Sequence, residues 1–180
     1  GRYSNAFTAT LAGIADLFRK QKNVVVLNDD DLVTGKNVLI TGASSGLGFE
    51  AAVQLARRGA NVYMACRSGI PDKGHLVTKL TGNASVVMLP VDLSDIESVR
   101  QLVSHIKEKG VKIDVLIENA AVVPARSRKT KQGLEEMFVV NYLSTFLLTR
   151  WLLDHGLFNT ADGNVSRIIF VSSESHRNPK

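Results

Sequence analysis

From residue 36 onward, apolar positions along the chain follow two alternating patterns. Short, nearly continuous apolar runs predict β-strands over residues 37–41, 61–65, 85–89, 114–117 and 167–171. Apolar residues at three- and four-residue intervals predict helices over residues 46–58, 73–80, 94–110 and 133–154. Apolar strands that alternate with helices are typical of a parallel sheet covered on both faces. The pattern therefore predicts an α/β fold with a five-stranded parallel sheet.

Polar residues and glycines support several of these helix boundaries. Ser94 followed by Glu97 matches a capping box, in which each side chain bonds the backbone N–H of the other residue. Gly59 and Gly110 follow the last apolar turns of two helices and predict their ends. The predicted buried face of the helix after Ser94 consists of Val99, Leu102, Val103 and Ile106.

The first 35 residues are predicted to form an extension to the larger domain of residues 36–180. Residues 5–22 repeat apolar side chains at helical spacing and end on basic side chains, which predicts an amphipathic helix. Residues 24–27 are apolar enough for a short strand, and residues 28–31 form a polar linker. Two interpretations of the helix stay open. It packs on its own domain or a twin subunit, or it contacts a membrane surface or a partner.

A glycine-rich turn separates the first predicted strand from the first predicted helix. It reads Thr41-Gly42-Ala43-Ser44-Ser45-Gly46-Leu47-Gly48. Glycines let the backbone turn sharply and approach a phosphate closely. The helix that follows presents free N–H groups and the positive end of its dipole, and serine hydroxyls add donors. The sequence therefore predicts a doubly wound, Rossmann-type fold that binds a dinucleotide pyrophosphate at Gly42, Ser44, Ser45, Gly46, Leu47 and Gly48.

Two charged residues after strands refine this prediction. Arg67 follows the second strand, where NAD sites usually hold an acidic residue for the ribose 2′-hydroxyl and where an Arg accommodates a 2′-phosphate. We therefore predict NADP(H) as the cofactor rather than NAD(H), the alternative being that Arg67 is a surface residue. Asp92, beside Leu93 after the third strand, is placed to accept a hydrogen bond from the adenine amino group, unless it is only a turn residue.

Composition and charge exclude other classes of protein. No run of about 18 apolar residues occurs, so we expect no membrane span. The single cysteine, Cys66, excludes an internal disulfide, predicts an intracellular reducing compartment, and is interpreted as a small strand residue. The net charge is +5, and the basic stretch 126–131 has no aromatic neighbours. We interpret that stretch as a solvated loop that weakly attracts a phosphorylated cofactor, and we predict no nucleic-acid partner.

Over residues 36–177 these motifs resemble the short-chain dehydrogenase/reductase family. The glycine turn matches the family's T-G-x-x-x-G-x-G motif at every fixed position, and Asp92 matches its adenine-contacting Asp. The remaining matches are the start of the N-A-G motif, the helix asparagine and the serine pair after the fifth strand, at Asn119-Ala120, Asn141 and Ser172-Ser173. Residues 64–68, 129–133 and 146–149 resemble the retinol-dehydrogenase-like branch.

The resemblance implies a reaction and roles for these residues. The reaction is hydride transfer between nicotinamide C4 and a carbonyl or alcohol carbon, and the substrate is a small molecule such as a lipophilic retinoid, steroid or aldehyde. Ser173 would bond the substrate oxygen, Asn141 would hold a water in a proton relay, and Asn119 and Ala120 would lie on the nicotinamide side. In relatives the helices after the fourth and fifth strands commonly form the dimer interface, and this sequence contains the first of them, so a homo-oligomer or a partner chain is expected.

The chain departs from the family pattern at three points. Glu118 stands where the family often has Asn, and Ala121 stands where it usually has Gly. The third departure is the Tyr-x-x-x-Lys motif, which follows the serine pair in the family and supplies the general acid/base. None of the three tyrosines here has Lys four residues later, and the chain stops at Lys180. We therefore expect a sheet truncated after its fifth strand, an exposed edge that needs a partner, and little activity of this chain alone.

Two functions are consistent with the sequence. The first is an NADP(H)-dependent oxidoreductase, of which this chain is the cofactor-binding part. The alternative is a non-catalytic dinucleotide-binding or scaffold subunit of a larger assembly, which the three departures and the N-terminal helix favour. No metal site is expected in either case.

Overall fold

The alternating pattern of strands and helices is present in the computed structural model, which describes residues 32–160 and 165–173. The elements in chain order are β1 (Asn37–Thr41), α1 (Gly46–Arg57), β2 (Asn61–Cys66), α2 (Asp72–Thr81), β3 (Val86–Pro90), α3 (Ile96–Glu108), β4 (Val115–Glu118), α4 (Glu136–Phe138), a π-helical turn (Val139–Leu143), α5 (Ser144–Asp154) and β5 (Arg167–Phe170). The helix predicted over residues 5–22, the strand over 24–27 and the linker over 28–31 lie outside the described residues, so the domain division after residue 35 stays a prediction.

All strand pairs are parallel, and the sheet order is β3-β2-β1-β4-β5. β1 is central, with Val38 beside both Val62 of β2 and Val115 of β4. The chain moves outward from β1 through β2 to β3 and then returns to the other side of β1 as β4. In open α/β sheets, ligands bind at such a switch point, outside the carboxyl ends of the strands. The predicted Rossmann-type α/β fold is confirmed.

Each face of the sheet carries its own apolar core. Successive strand residues point to opposite faces, and in β1 the side chains of Val38 and Ile40 enter one core while Leu39 enters the other. The first core includes residues of α1 and α2, such as Val53 and Val77. The second core is built largely from α3, α5 and their neighbours, namely Val99, Leu102, Val103, Ile106, Leu148 and Leu152. The central part of the sheet is therefore covered on both sides, as the uninterrupted apolar strands predicted, whereas β5 at its edge is largely exposed, with Ile169 44% and Phe170 59% exposed.

The predicted capping box between Ser94 and Glu97 at the start of α3 is wrong. Asp95 is the N-cap, and its carboxylate accepts a hydrogen bond from the backbone N–H of Glu97 at 3.1 Å. The Ser94 hydroxyl instead donates to the carboxylate of Asp92 at 2.7 Å. The physical reason is that the Asp95 carboxylate takes the Glu97 N–H that the Ser94 hydroxyl would accept in a capping box, while the Ser94 hydroxyl donates to the Asp92 carboxylate.

The long helix predicted over residues 133–154 begins three residues later and is not regular. Gly133 has a φ of +78° and donates to the carbonyl of Thr130, so it belongs to a tight turn. Glu135 caps the helix through a bond from the backbone N–H of Phe138 at 2.7 Å. The π-helical turn then follows α4, and such turns are frequent at functional sites.

The basic stretch 126–131 lies in the connection between β4 and α4, and two of its cations are paired with carboxylates. Lys131 contacts Asp95 at 3.0 Å, and Arg128 contacts Glu136. The Lys131 side chain is 80% exposed, as the solvated-loop interpretation requires. Its bond lowers the pKa of the Asp95 carboxyl below the ordinary value.

The described residues fall into two compact units. One unit contains the described residues 32–160 and 165–171, and Ser172 and Ser173 are the described residues of the other. Among the helices with described positions, none has the length and apolar content that crossing a bilayer requires.

Candidate cofactor site

The glycine-rich turn begins where β1 ends and leads directly into α1. Gly42 has a φ of +66° and Gly46 a φ of +57°, in the left-handed region that L side chains rarely adopt. The backbone N–H of Gly42 donates to the carbonyl of Ala65 at 2.9 Å, which extends the ladder between β1 and β2 into the turn. The backbone conformation therefore explains the first two glycines of the motif.

The third glycine, Gly48, is required by packing rather than by conformation. A Cβ atom at this position would lie 2.5 Å from the Asn119 side-chain nitrogen and 2.6 Å from the carbonyl oxygen of Gly42. A Cβ atom on Gly42 would likewise lie 2.9 Å from the Cα atom of Ala120. The turn is thus pressed against the segment that follows β4, and no side chain fits between them.

The Thr41 and Asn119 side chains hold this contact together. The Thr41 hydroxyl accepts hydrogen bonds from the backbone N–H groups of Asn119 and Ala120, at 3.0 and 3.1 Å. The Asn119 side-chain amide donates to the carbonyls of Thr41 and Gly42, at 3.0 and 3.4 Å. Asn119 therefore stabilises the shape of the turn, a role that its predicted place on the nicotinamide side did not include.

An open cavity of about 410 Å³ lies at the carboxyl ends of the strands. Four chain segments and one residue of the π-helical turn line it: the glycine turn, the end of β2 and the segments after β3 and β4. The lining residues are Gly42, Ser44, Ser45, Ala65, Cys66, Arg67, Ser68, Val91, Asp92, Leu93, Ser94, Asn119, Ala120, Ala121, Val122 and Val140. The structure thus brings eight of the predicted cofactor-binding residues to one cavity. Gly46, Leu47 and Gly48 lie in the turn and its helix but not in the lining.

Arg67 and Asp92 both line this cavity and form an ion pair there. Arg67 Nη1 lies 4.0 Å from an Asp92 carboxylate oxygen, and the Arg67 side chain is 65% exposed. Such a pair is weak because water screens it, so the guanidinium is free to meet an entering anion. Asp92 is fixed by two further bonds to the same oxygen, from the Ser94 backbone N–H and the Ser94 hydroxyl.

Asn141, predicted to hold a water, has both ends of its side-chain amide bonded to the backbone of Val122. The amide oxygen accepts from the Val122 N–H at 2.8 Å, and the amide nitrogen donates to the Val122 carbonyl at 2.9 Å. Asn141 lies in the π-helical turn, directly after the cavity residue Val140. In this structure it anchors the segment after β4 to the helix.

Ser172 and Ser173 follow the last residue of the larger unit, and they belong to the other unit. Ser173 has an interaction partner in the structure. Its catalytic assignment stays a prediction.

Cys66 was interpreted only as a small strand residue, yet it also lines the cavity. It is the last residue of β2 and is buried beneath the turn. Burial raises the pKa of its thiol, while hydrogen bonds from Ala43 and Ser44 act in the opposite direction. The thiol is therefore held in its neutral form. Its position directly before Arg67 is the sequence signal that identifies it as a cavity residue.

Glu118 lies near the site, and the sequence does not predict its electrostatic environment. It is 4% exposed at the end of β4. One carboxylate oxygen accepts from the Thr41 hydroxyl at 3.3 Å and the other from the Thr149 hydroxyl of α5 at 3.4 Å. Burial raises the pKa of the Glu118 carboxyl to about 7, and the two hydroxyl bonds oppose that rise.

Comparisons with known proteins agree with this geometry. The sequence model of the short chain dehydrogenase family matches residues 36–180, and the chain belongs to this family. Human retinol dehydrogenase 11 is 39% identical over 166 residues, which cover 90% of this chain and 50% of that protein. Human polyprenol dehydrogenase is 39% identical over 141 residues, which cover 77% of this chain and 42% of that protein. The predicted resemblance to the retinol-dehydrogenase-like branch is confirmed, and the chain spans about half the length of these curated relatives.

Solved structures of short-chain dehydrogenases are also similar to this chain. A short-chain dehydrogenase from Escherichia coli CFT073 complexed with NADPH has a TM-score of 0.67 and 28% identity, over 86% of this chain and 65% of that chain. A short-chain dehydrogenase from Shigella flexneri complexed with NADP has a TM-score of 0.68 and 29% identity, over 83% of this chain and 64% of that chain.

The contact at Gly48 generates a first prediction. In Gly48→Ala the new methyl group overlaps Asn119 and the Gly42 carbonyl, so we expect a loss of stability of about 1–3 kcal/mol despite the better helix propensity of Ala. NADPH affinity falls as well, because the turn is displaced. Gly74→Ala in α2 is the control, since its methyl group meets only the flexible Met88 side chain. Urea unfolding and NADPH titration check both effects. Equal stability and equal NADPH affinity of Gly48→Ala and Gly74→Ala would contradict the packing argument.

The buried Glu118 carboxyl generates a second prediction, on the pH dependence of stability. Its pKa is raised from 4.5 to about 7, so the folded state binds the proton more tightly than the unfolded state. The contribution of this group to the free energy of unfolding is therefore fully present below pH 4.5. It is lost as pH rises through 7, and the loss amounts to about 3 kcal/mol. Glu118→Gln has no proton to lose, and its stability relative to the unmodified chain should rise across this window.

Urea unfolding at several pH values between 4 and 8 measures this difference. Glu50→Gln in α1 is the control, because its carboxyl group is exposed. Parallel pH profiles of the unmodified chain and of Glu118→Gln would show that the raised pKa is wrong.

Proposed function

We propose that this chain binds NADP(H) and is the cofactor-binding part of an oxidoreductase. The proposed reaction transfers a hydride between the nicotinamide and a carbonyl or alcohol. The observation that carries the proposal is the glycine turn pressed against the segment after β4, which opens onto a cavity that also holds Arg67. Membership of the short chain dehydrogenase family supports the reaction class.

The residues of the cavity fit a dinucleotide. Nothing lies within 4 Å of the position that a Cβ atom on Gly46 would take, so this part of the turn is open to a pyrophosphate, which Ser44 and Ser45 would hold. Arg67 would pair with a 2′-phosphate, and the segment containing Asp92 and Leu93 would contact the adenine. Asn119 and Ala120 would lie at the nicotinamide end. When bound, the nicotinamide supplies or accepts the hydride.

Handling of the substrate proton is assigned only in part. Ser173 is proposed to bond the substrate oxygen, and Asn141 is proposed to support the relay by fixing Val122 beside the cavity. No Tyr-x-x-x-Lys motif occurs in the 180 residues, so no residue of this chain is assigned as the general acid/base. We therefore expect little or no hydride transfer by the chain alone.

The substrate class follows from the relatives. The names of the matching dehydrogenases refer to retinol and to polyprenol, both lipophilic alcohols. We propose a lipophilic alcohol or carbonyl compound for this protein as well. We propose an intracellular, reducing compartment for the protein. Peripheral membrane contact through residues 5–22 would suit a lipophilic substrate.

Exposed aromatic residues support assembly with a second copy or a partner chain. Phe138, Tyr142 and Phe146 on the α4 to α5 helix are 48, 63 and 55% exposed, and the first two rings lie 5.6 Å apart. Aromatic side chains are enriched at the centres of protein interfaces. The proposed partner surface is therefore the outer face of this helix.

The alternative function is a non-catalytic dinucleotide-binding subunit of a larger assembly. Ala121 lines the cavity where the family usually has Gly, and Glu118 replaces an amide with an acid beside it. Both changes favour this alternative. Neither alters the glycine turn that would bind the pyrophosphate, but both alter the segment at the proposed nicotinamide end of the cavity.

The cofactor proposal generates a third prediction. NADPH should bind more tightly than NADH, and Arg67→Ala should remove a preference of roughly 10- to 100-fold, because it removes a charge-assisted bond to the 2′-phosphate. Arg126→Ala, in the exposed loop, is the matched control and should keep the preference. Fluorescence titration with both nucleotides measures the ratio. Equal binding of NADPH and NADH to the unmodified chain would refute the role of Arg67.

A fourth prediction separates the two functions. The protein at its natural length should oxidise NADPH in the presence of all-trans-retinal, and Ser173→Ala should lower kcat by roughly 10²- to 10³-fold through loss of an oxyanion donor. Ser104→Ala on the exposed face of α3 is the control. Binding of NADPH without turnover of any aldehyde or ketone would instead support the non-catalytic alternative.

A further inference from the structure

Glu118 is buried between two elements and has no cation among its hydrogen-bond partners in the described residues. One oxygen faces the Thr41 hydroxyl of β1 and the other faces the Thr149 hydroxyl of α5. A buried acid that contacts only neutral hydroxyls costs stability, and a residue such as Gln or Met of similar size would avoid that cost. Its placement directly before Asn119 suggests what the acid contributes.

We propose that Glu118 is a positioning residue for the cofactor turn, and that it acts through the orientation of the Thr41 hydroxyl. The inference rests on the proposed cofactor site, and it names a residue that controls the shape of that site.

The first step is the number of hydrogen bonds that the Thr41 hydroxyl can donate and accept. A hydroxyl has one hydrogen and two lone pairs. The N–H groups of Asn119 and Ala120 occupy both lone pairs of Thr41. Its single hydrogen must therefore go to an acceptor on the other side, where Glu118 Oε2 lies at 3.3 Å and the Ile117 carbonyl at 3.5 Å. The shorter contact is the one to the carboxyl group. It holds the Thr41 hydroxyl in the orientation in which its two lone pairs meet the N–H groups of Asn119 and Ala120.

The second step leads from Thr41 to the turn. The two N–H groups that Thr41 accepts belong to the residues that touch the glycines. Asn119 binds the carbonyls of Thr41 and Gly42, and the Ala120 Cα atom closes the space at Gly42. A rotation of the Thr41 hydroxyl would leave both N–H groups without their acceptor and would loosen this contact.

The third step concerns which substitutions retain the function. Glu118→Gln keeps an amide oxygen for the Thr41 hydroxyl and offers an N–H to Thr149, so it should restore the orientation without a charge. Glu118→Leu keeps the burial but offers no acceptor. Thr149→Val removes the other contact of Glu118 and leaves Thr41 untouched, which makes it the matched control.

The experiment measures hydrogen exchange of the Asn119 and Ala120 amides in the 180-residue chain without cofactor, together with NADPH affinity by fluorescence. Glu118→Leu should speed exchange of both amides and weaken NADPH binding, each by roughly three- to tenfold, the effect of one lost hydrogen bond. Glu118→Gln and Thr149→Val should stay within about twofold of the unmodified chain. Thr41→Val should have the effect of Glu118→Leu or a larger one, and adding Glu118→Leu to it should change nothing further.

Three outcomes would overturn the inference: unchanged amide exchange in Glu118→Leu, failure of Glu118→Gln to restore exchange, or additive effects of Glu118→Leu and Thr41→Val. If Glu118→Leu does not fold, Glu118→Met supplies the same test with a more adaptable apolar side chain. If the unmodified chain fails to bind NADPH, the proposed function fails, while the amide exchange rates still decide whether Glu118 positions the turn.

Discussion

The contact between the glycine turn and the end of β4 is the constraint on which the rest of the site depends. Two central strands, β1 and β4, end side by side, and the glycine turn beyond β1 packs against the Ala120 backbone and the Asn119 side chain beyond β4. Glycine at positions 42 and 48 allows this approach, and the Thr41 hydroxyl and the Asn119 amide secure it. Gly42, Ser44 and Ser45 of the turn line the cavity, together with the segments at the ends of β2, β3 and β4. The cavity is therefore a consequence of how neighbouring strands end and not of a separate binding module.

The arrangement of elements could be predicted from the sequence because it depends on local patterns. Apolar runs and helical spacing identified each strand and most of each helix within the described residues. The boundaries that were wrong depend on which polar side chain caps each helix. Asp95 and not Ser94 caps α3, and the start of the last helix lies at Glu136 and not at Gly133 because Glu135 supplies the cap. Neither cap is visible in hydrophobic periodicity.

The candidate site was predictable to the extent that it follows motifs. Gly42, Arg67, Asp92 and Asn119 meet at one cavity, as their positions after successive strands indicated. The bonds between the Asn141 amide and Val122 could not be predicted, because they depend on where a π-helical turn places one side chain. The environment of Glu118 was equally hidden, since its burial results from packing between β1 and α5.

The central position of β1 has a consequence for how the chain acquires its fold during synthesis. Thr41 and Glu118, which meet at the end of the central strand pair, are 77 residues apart in sequence. At roughly 5 to 20 residues per second, a ribosome needs on the order of 4 to 15 seconds to deliver the second after the first. Throughout that interval one edge of β1 has no native neighbour. The nascent β1-to-β3 segment is accordingly open to pairing with another chain until β4 is made.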